Sequence, residues 1–293
     1  MGACCAPRRG DEPARERASY AAGEDGRVPE LVALEPARFA MGSAGPECVP
    51  GDGEGPVRDV DVPAFAIGTH AVTNAEFATF ATATGYETDA ERFGWSFVFR
   101  SFVAPDSAVA GVSADAPWWV GVEGASWRAP EGPGSDWSSR AGHPVVHVSW
   151  HDAEAFCGWS GCRLPREAEW EYAARGGLAG ARYPWGDELC PGGTWRCNIW
   201  QGRFPGEDTG EDGYVGTAPA DAFEPNGFGL YNMAGNVWEW CADEVVGGSR
   251  ALRGGSYLCH DSYCNRYRVS ARTWNAPDSS TGHTGFRCAV ASA

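Results

Sequence analysis

The sequence predicts an α+β fold, a single irregular domain with low regular secondary structure. Three observations predict it. Only three segments carry helix patterns with matching start and stop signals. From about residue 178 onward, turn signals such as PWGDE, EDGY, PNGFG and RGGS recur roughly every 8–15 residues, separated by short aromatic runs. Fourteen Trp and forty Gly supply what such a chain needs. Aromatics bury large areas where sheet ladders are sparse, and glycines permit the positive φ angles of tight turns.

The elements follow in order. Residues 1–28 are charged and contain no apolar h-region, so they read as a disordered arm without a secretory signal, and Cys4 and Cys5 within it carry no function in this reading. Residues 29–293 form the domain. Leu31 to Met41 reads as short strands around a turn at Pro36, and residues 42–59 as a loop of Gly, Pro and acids. Thr73 and Glu76 form a capping box ahead of Phe77 and Phe80. Val145, Val146 and Val148 alternate as a strand would; this places His143, His147 and His151 on a strand leading into a helix and gives them structural roles. Ser149 caps that helix, which carries Ala153, Phe156 and Cys157 on one face and stops near Gly161. Pro165 suits a first helical turn, Trp170 shares a face with Ala173 and Ala174, and Gly176 and Gly177 end the third helix.

Composition excludes several function classes. A formal net charge of −16 argues against nucleic acid or an anionic membrane surface as partner, and suits a partner that presents arginine. The 23 basic residues are all Arg. Without lysine there is no Schiff base, no pyridoxal phosphate anchor and no phosphate-loop lysine. No run reaches the roughly 18 apolar residues of a membrane helix. A cytoplasmic setting is expected, and in a reducing compartment eleven cysteines call for metal or redox chemistry more than a disulfide framework.

The richest segment is Arg253-Gly-Gly-Ser-Tyr-Leu-Cys259-His-Asp-Ser-Tyr-Cys264-Asn-Arg-Tyr-Arg268. Two thiols at this spacing converge on one soft ion if the chain between them bends, and a thiolate pair suits copper(I). Gly254 and Gly255 let backbone pass close to a bound group, and Arg266 and Arg268 supply charge that lowers thiol pKa values. A disulfide between Cys259 and Cys264 and a zinc site fit the spacing as well, since Cys157 and Cys162 repeat it. Spacing alone does not decide.

That segment resembles the active-site strand of formylglycine-generating enzymes, and the resemblance extends over roughly residues 30–290. Leu164-Pro-Arg-Glu-Ala-Glu-Trp-Glu-Tyr172, Tyr183-Pro-Trp-Gly-Asp187, Asn198-Ile-Trp-Gln-Gly202, Thr209-Gly-Glu-Asp-Gly213, Pro225-Asn-Gly-Phe-Gly-Leu-Tyr-Asn232, Gly235-Asn-Val-Trp-Glu-Trp240 and Gly285-Phe-Arg-Cys288 all fit the family. The resemblance implies a fold related to C-type lectins. It implies that Cys259 and Cys264 hold copper(I), that a substrate cysteine joins as third thiolate, and that molecular oxygen is the co-substrate. Ser256 matches the family serine beside this centre and Trp238 its aromatic neighbour. The implied partner is an unfolded sulfatase polypeptide carrying Cys-x-Pro-x-Arg, whose cysteine becomes Cα-formylglycine.

Two calcium sites are implied too. Asn198, Ile199, Asp212 and Tyr214 form the first, and Asn232, Gly235, Val237 and Glu239 the second, each mixing side chains with backbone carbonyls, as oxygen-rich loops suit calcium. The substrate groove is implied at Ser96 and Ser280, with Trp95 standing where some members carry an acid; a Trp there can stack on a guanidinium. Cys157 and Cys288 occupy the positions of one family disulfide, whereas Ala174 and Val269 replace both halves of another. Two rival readings are a non-catalytic binding module of this fold and an iron-dependent sulfoxide synthase. The cysteine pair with Ser256 speaks against the first, and the lack of a separate helical domain with a His triad against the second.

Overall fold

The structure is a computed structural model that describes residues 7–9 and 29–291. In chain order the elements are β1 (Leu31–Leu34), β2 (Ala37–Met41), β3 (Arg58–Val62), β4 (Phe65–Gly68), α1 (Asn74–Thr84), α2 (Asp89–Phe93) and β5 (Trp95–Phe99). Next come β6 (Val109–Val112), β7 (Trp119–Glu123), α3 (Trp150–Ser160), α4 (Glu167–Arg175), β8 (Gly202–Arg203) and β9 (Glu207–Asp208). The chain ends with β10 (Trp238–Glu244), β11 (Arg250–Arg253), β12 (Arg272–Asn275), β13 (Thr284–Gly285) and β14 (Ala289–Ala291).

Long irregular stretches separate these short elements, as the turn-rich sequence requires. Strands β1, β4 and β14 form one antiparallel sheet in that order, so the two ends of the domain flank the same strand, β4. A second sheet, ordered β12-β11-β10-β13, carries the segment that leads to the cysteine pair. A third, β5-β7-β6, lies under the expected groove.

Both expected capped helices start where their side chains direct. Thr73 accepts from the Glu76 N–H while Glu76 reaches back to Thr73, and α1 stops at Gly85 in the left-handed conformation. Ser149 and Asp152 do the same for α3, which ends at Gly161. The third helix, α4, begins at Glu167 rather than at Pro165 and ends at Gly176. A fourth helix, α2, was not expected, although Thr88 and Glu91 form a third capping box. The expected strand at 143–148 is instead irregular. Pro144 makes only an isolated bridge to Thr73, and His147 adopts φ 59°, which breaks the pleat.

One core cluster packs α1 against α3, with Phe77, Phe80, Trp127, Phe156 and Phe286 all buried; it also holds Trp238, Cys259 and Cys264. A second buries Trp170, Ala173 and Ala174 of α4 against Leu34, Phe65 and Ile67. Charges buried with these cores are paired through arginine. Arg287 grips Glu239 at 2.6 and 2.7 Å, Arg268 grips Glu54 at 2.5 and 2.8 Å, and Arg253 holds Glu171. A planar fork that meets a carboxylate with two donors suits such sites better than an ammonium, and it is the only cation side chain of this length the sequence offers.

Candidate active site

Strand β11 ends at Arg253, and the chain then turns sharply through Gly254 (φ 96°) and Gly255 (φ 75°). A Cβ on Gly254 would stand 3.2 Å from the Trp170 ring, and one on Gly255 would stand 3.0 Å from the backbone of Arg266 and Tyr267. The glycines therefore bring this backbone against its own chain, which folds the segment 256–267 back on itself. The bend between the two thiols follows from backbone hydrogen bonds: Cys259 N–H donates to Ser256 O at 2.9 Å, and Cys264 N–H to His260 O at 2.7 Å.

As a result the Cys259 and Cys264 sulfurs lie 3.2 Å apart, both thiols buried and not joined. The Ser256 N–H points at the Cys259 sulfur at 3.4 Å, and Arg266 Nη1 lies 3.7 Å from the Cys264 sulfur. Asp52 fixes that arginine with bonds of 2.5 and 3.2 Å, so the acidic loop 42–57 serves to position a cation beside a thiol. Burial raises the Asp52 carboxyl above its ordinary range, against the lowering effect of Arg266. In the neighbouring Arg268–Glu54 pair, burial again raises the carboxyl, but the Arg268 bonds outweigh it and the net shift is downward.

A small, partly open cavity of about 10 Å³, room for about one water-sized group, reaches Cys259 and is lined by Trp118, Trp119, Phe204, Ser256, Leu258, Cys259, Tyr263 and His283. Trp238 does not line it. This residue opens β10 within the same core cluster as both cysteines, and its buried indole N–H has no hydrogen-bond partner among the described residues. No sequence pattern marks the aromatic walls. Trp118 and Trp119 stand in a stretch without periodic pattern, and only the fold sets them beside Tyr263, 4.8 Å from Trp118 between ring centres.

The two thiols fit a single soft cation: they are adjacent, flanked by a guanidinium at Cys264, and reached at Cys259 by a small opening. Among the described residues no set of three His, Cys, Asp or Glu side chains converges as a metal site. The pair is thus what the chain itself offers.

About the groove, the structure brings Trp95, Ser96 and Ser280 together. The Ser96 and Ser280 hydroxyls lie 2.8 Å apart, and Ser96 also donates to Ser280 O at 3.0 Å. His147 Nδ1 sits 2.8 Å from Ser96 Oγ, so a histidine read only as a strand residue underpins this wall. Burial drives its pKa down to about 3. Of the arm, residues 7–9 are described and are seated on this groove; the rest of 1–28, with Cys4 and Cys5, lies outside the described residues. Among the described residues no helix is long and apolar enough to cross a membrane.

The first implied calcium set is gathered in space. Asp212 accepts from Ile199 N–H at 3.0 Å and Tyr214 N–H at 2.9 Å, and Gln201 Nε2 donates both to Asp212 at 2.8 Å and to Ile199 O. Asn198 reaches Gly216 O and Asn236. An amide donor thus lies between two oxygens that a cation would share, and burial raises the Asp212 carboxyl. These residues fit a hard cation. In the second set, Asn232 Oδ1 is buried with no hydrogen-bond partner among the described residues, as an open ligand would be. Glu239, by contrast, is held by Arg287 and by Trp170 Nε1 at 2.7 Å. Gly235 presses on the Asn198 backbone, where a Cβ would stand 2.3 Å from the Asn198 carbonyl oxygen, and Val237 is buried beside it, so the two sets share one packed loop core.

Cys157 and Cys288 meet with sulfurs 3.7 Å apart and remain unbonded thiols. Burial raises both pKa values, and a hydrogen bond with Cys288 raises that of Cys162, so these thiols resist ionisation. Cys190 and Cys197 are free as well.

Comparison with known proteins agrees with this geometry. The family model described as the sulfatase-modifying factor enzyme 1-like domain matches residues 17–292. A formylglycine-generating enzyme of Thermomonospora curvata is 59% identical over 89% of this chain and 93% of its own length. A bovine relative named as an inactive Cα-formylglycine-generating enzyme 2 is 46% identical over 90% of this chain and 89% of its own. The solved structure of PvdO from Pseudomonas aeruginosa, 25% identical, superposes with a TM-score of 0.66 over 95% of this chain and 100% of that one. By fold and by sequence over nearly its whole length, the chain belongs to the formylglycine-generating enzyme family, the proteins with the sulfatase-modifying factor enzyme 1-like domain.

Proposed function

We propose that this chain is a catalytic member of its family, oxidising the cysteine of a Cys-x-Pro-x-Arg motif in an unfolded sulfatase polypeptide to Cα-formylglycine, with molecular oxygen and copper(I), in the cytoplasm. One observation carries the reading: the Cys259 and Cys264 sulfurs, 3.2 Å apart and not joined in a disulfide, with a small opening at Cys259. Family membership does not carry it alone, because a relative with 46% identity is named inactive.

Copper(I), when bound to the two thiolates, supplies a soft centre at which oxygen can be reduced. The chain's own groups do the rest. Ser256 N–H orients the Cys259 thiolate, and Arg266, held by Asp52, keeps positive charge beside Cys264. Trp238 and Tyr267 are buried in the same core cluster as the pair. A substrate thiol entering past Trp118 and Tyr263 would meet the pair at Cys259, where it could supply a third sulfur. The reaction removes a Cβ hydrogen and the sulfur, and installs an aldehyde oxygen. Trp95, Ser96 and Ser280 offer a ring face and hydroxyls for the substrate arginine. Asn198, Ile199, Asp212 and Tyr214 would hold one calcium ion, and Asn232, Gly235, Val237 and Glu239 a second, bracing loops that lack a ladder.

Mass spectrometry of a Cys-x-Pro-x-Arg peptide incubated with the protein, copper, oxygen and a thiol reductant tests the reading. Replacement of the cysteine CH2SH group by CHO is expected. An unchanged cysteine would sink it.

A further inference from the structure

The groove already has an occupant, and it belongs to this chain. Arg9 is 7% exposed and lies across the wall built by Trp95, Ser96 and Ser280. Its Nη2 donates to Ser280 Oγ and to Trp95 O, each at 2.7 Å. The guanidinium carbon stands 4.3 Å from the Trp95 ring centre and 4.4 Å from that of Phe93. Pro7 is held by its carbonyl, which accepts from Ser279 Oγ at 2.7 Å and Asn275 Nδ2 at 3.1 Å. Between them Arg8 turns outward to Ser249 Oγ at 3.3 Å. One guanidinium between two rings, with two charge-assisted bonds, is a recognition geometry.

Read from the N-terminal side, the sequence around these residues is Cys5-Ala6-Pro7-Arg8-Arg9. This is Cys-x-Pro-x-Arg, with the proline and arginine of the motif being the two residues the groove grips. No other cysteine in the 293-residue sequence has this context. Cys48-Val49-Pro50-Gly51-Asp52 repeats the Cys-x-Pro spacing but ends in an acid, and Asp52 serves Arg266. The segment also precedes residue 17, where the match to the family model begins.

We propose that Cys5 is an intramolecular substrate of this site: the chain oxidises its own Cys5 to formylglycine, and the tethered segment competes with external peptides for the groove. The proposal rests on the function proposed above. In sequence, Cys5 precedes the anchored Pro7 by two residues, the spacing of the motif. A covalently attached segment meets its groove at an effective concentration on the order of millimolar. In the reaction, one Cβ–H bond and the Cβ–S bond of Cys5 break and a C=O bond forms. Oxygen accepts four electrons, two from Cβ of Cys5 and two from two equivalents of an external thiol. The products are the aldehyde, hydrogen sulfide, water and the disulfide of that thiol.

The full chain is incubated with copper, oxygen and a thiol, together with an external Cys-x-Pro-x-Arg peptide, and both N-terminal and external peptides are analysed by mass spectrometry and hydrazide labelling. Aldehyde at Cys5 is expected, in a fraction that does not change on dilution, and it should be lost in Cys5→Ser. Conversion of the external peptide with Cys5 left as thiol overturns this inference and leaves the function intact. Failure of both peptides overturns the function itself. Conversion that falls on dilution overturns the intramolecular route. A second readout needs no turnover: a Ser-x-Pro-x-Arg peptide should bind the copper-free Arg9→Ala chain roughly tenfold or more tightly than the parent chain, because the tethered competitor is weakened. Equal affinities overturn the occupancy claim.

Discussion

The Arg266 guanidinium lies 3.7 Å from the Cys264 sulfur while two of its nitrogens grip Asp52 at 2.5 and 3.2 Å. An acidic loop more than two hundred residues earlier in the chain thereby sets the charge beside a candidate metal ligand. Removing the cation strands the nearly buried Asp52 carboxylate, and breaking such a pair costs about 3–5 kcal/mol. Arg266→Leu should therefore lower the unfolding free energy by roughly 3 kcal/mol, and the double variant with Asp52→Asn should recover most of it. A double variant no more stable than Arg266→Leu would show that the pair is not what stabilises this loop.

The thiol pair itself is testable without touching the loop. Cys259 and Cys264 are each 1% exposed, and serine is nearly isosteric, so either Cys→Ser variant should fold with a melting temperature within a few degrees of the parent. Turnover and tight copper(I) binding should vanish in both variants. Retained stoichiometric copper binding in Cys264→Ser would move the metal elsewhere.

Much of this fold was legible where a local rule acts alone. Thr73 with Glu76 and Ser149 with Asp152 start their helices by side-chain bonds three residues long, and Gly85 and Gly161 stop them. The same rule would have found α2 at Thr88 and Glu91. Illegible were features made by distant chain. The alternation of Val145, Val146 and Val148 suggested a strand, but all three side chains are buried in an irregular stretch between two cores, so alternation marked no solvent face. For the site, motif spacing could propose the sulfur pair but not its walls: Trp118, Tyr263 and His283 meet only through the fold.

Calcium should stabilise the domain if the gathered oxygens bind it. A ligand at about a hundred times its dissociation constant adds about 2.7 kcal/mol, which for a chain of this size raises Tm by roughly 5 °C. Asp212→Asn removes the charge that draws Ile199, Tyr214 and Gln201 together, and it should abolish most of that shift. Calorimetry with calcium and with chelator checks this. An unchanged Tm in the parent chain counts against both calcium sites.

His147 makes a pH prediction with a definite sign. It is fully buried against Ser96, and burial lowers its pKa from the usual 6.5 to about 3, with the charges of Arg9 and Arg140 adding to the effect. Between those values the unfolded chain binds a proton that the folded chain refuses. The contribution is therefore complete above about pH 6.5 and is lost as pH falls, at up to about 1.4 kcal/mol per unit. His147→Asn keeps a polar group beside Ser96 but cannot titrate, so its unfolding free energy should fall less steeply between about pH 6 and pH 4 than that of the parent. Urea denaturation at several pH values gives both slopes. Parallel slopes would mean that His147 takes up its proton without unfolding the wall that carries Ser96 and Ser280.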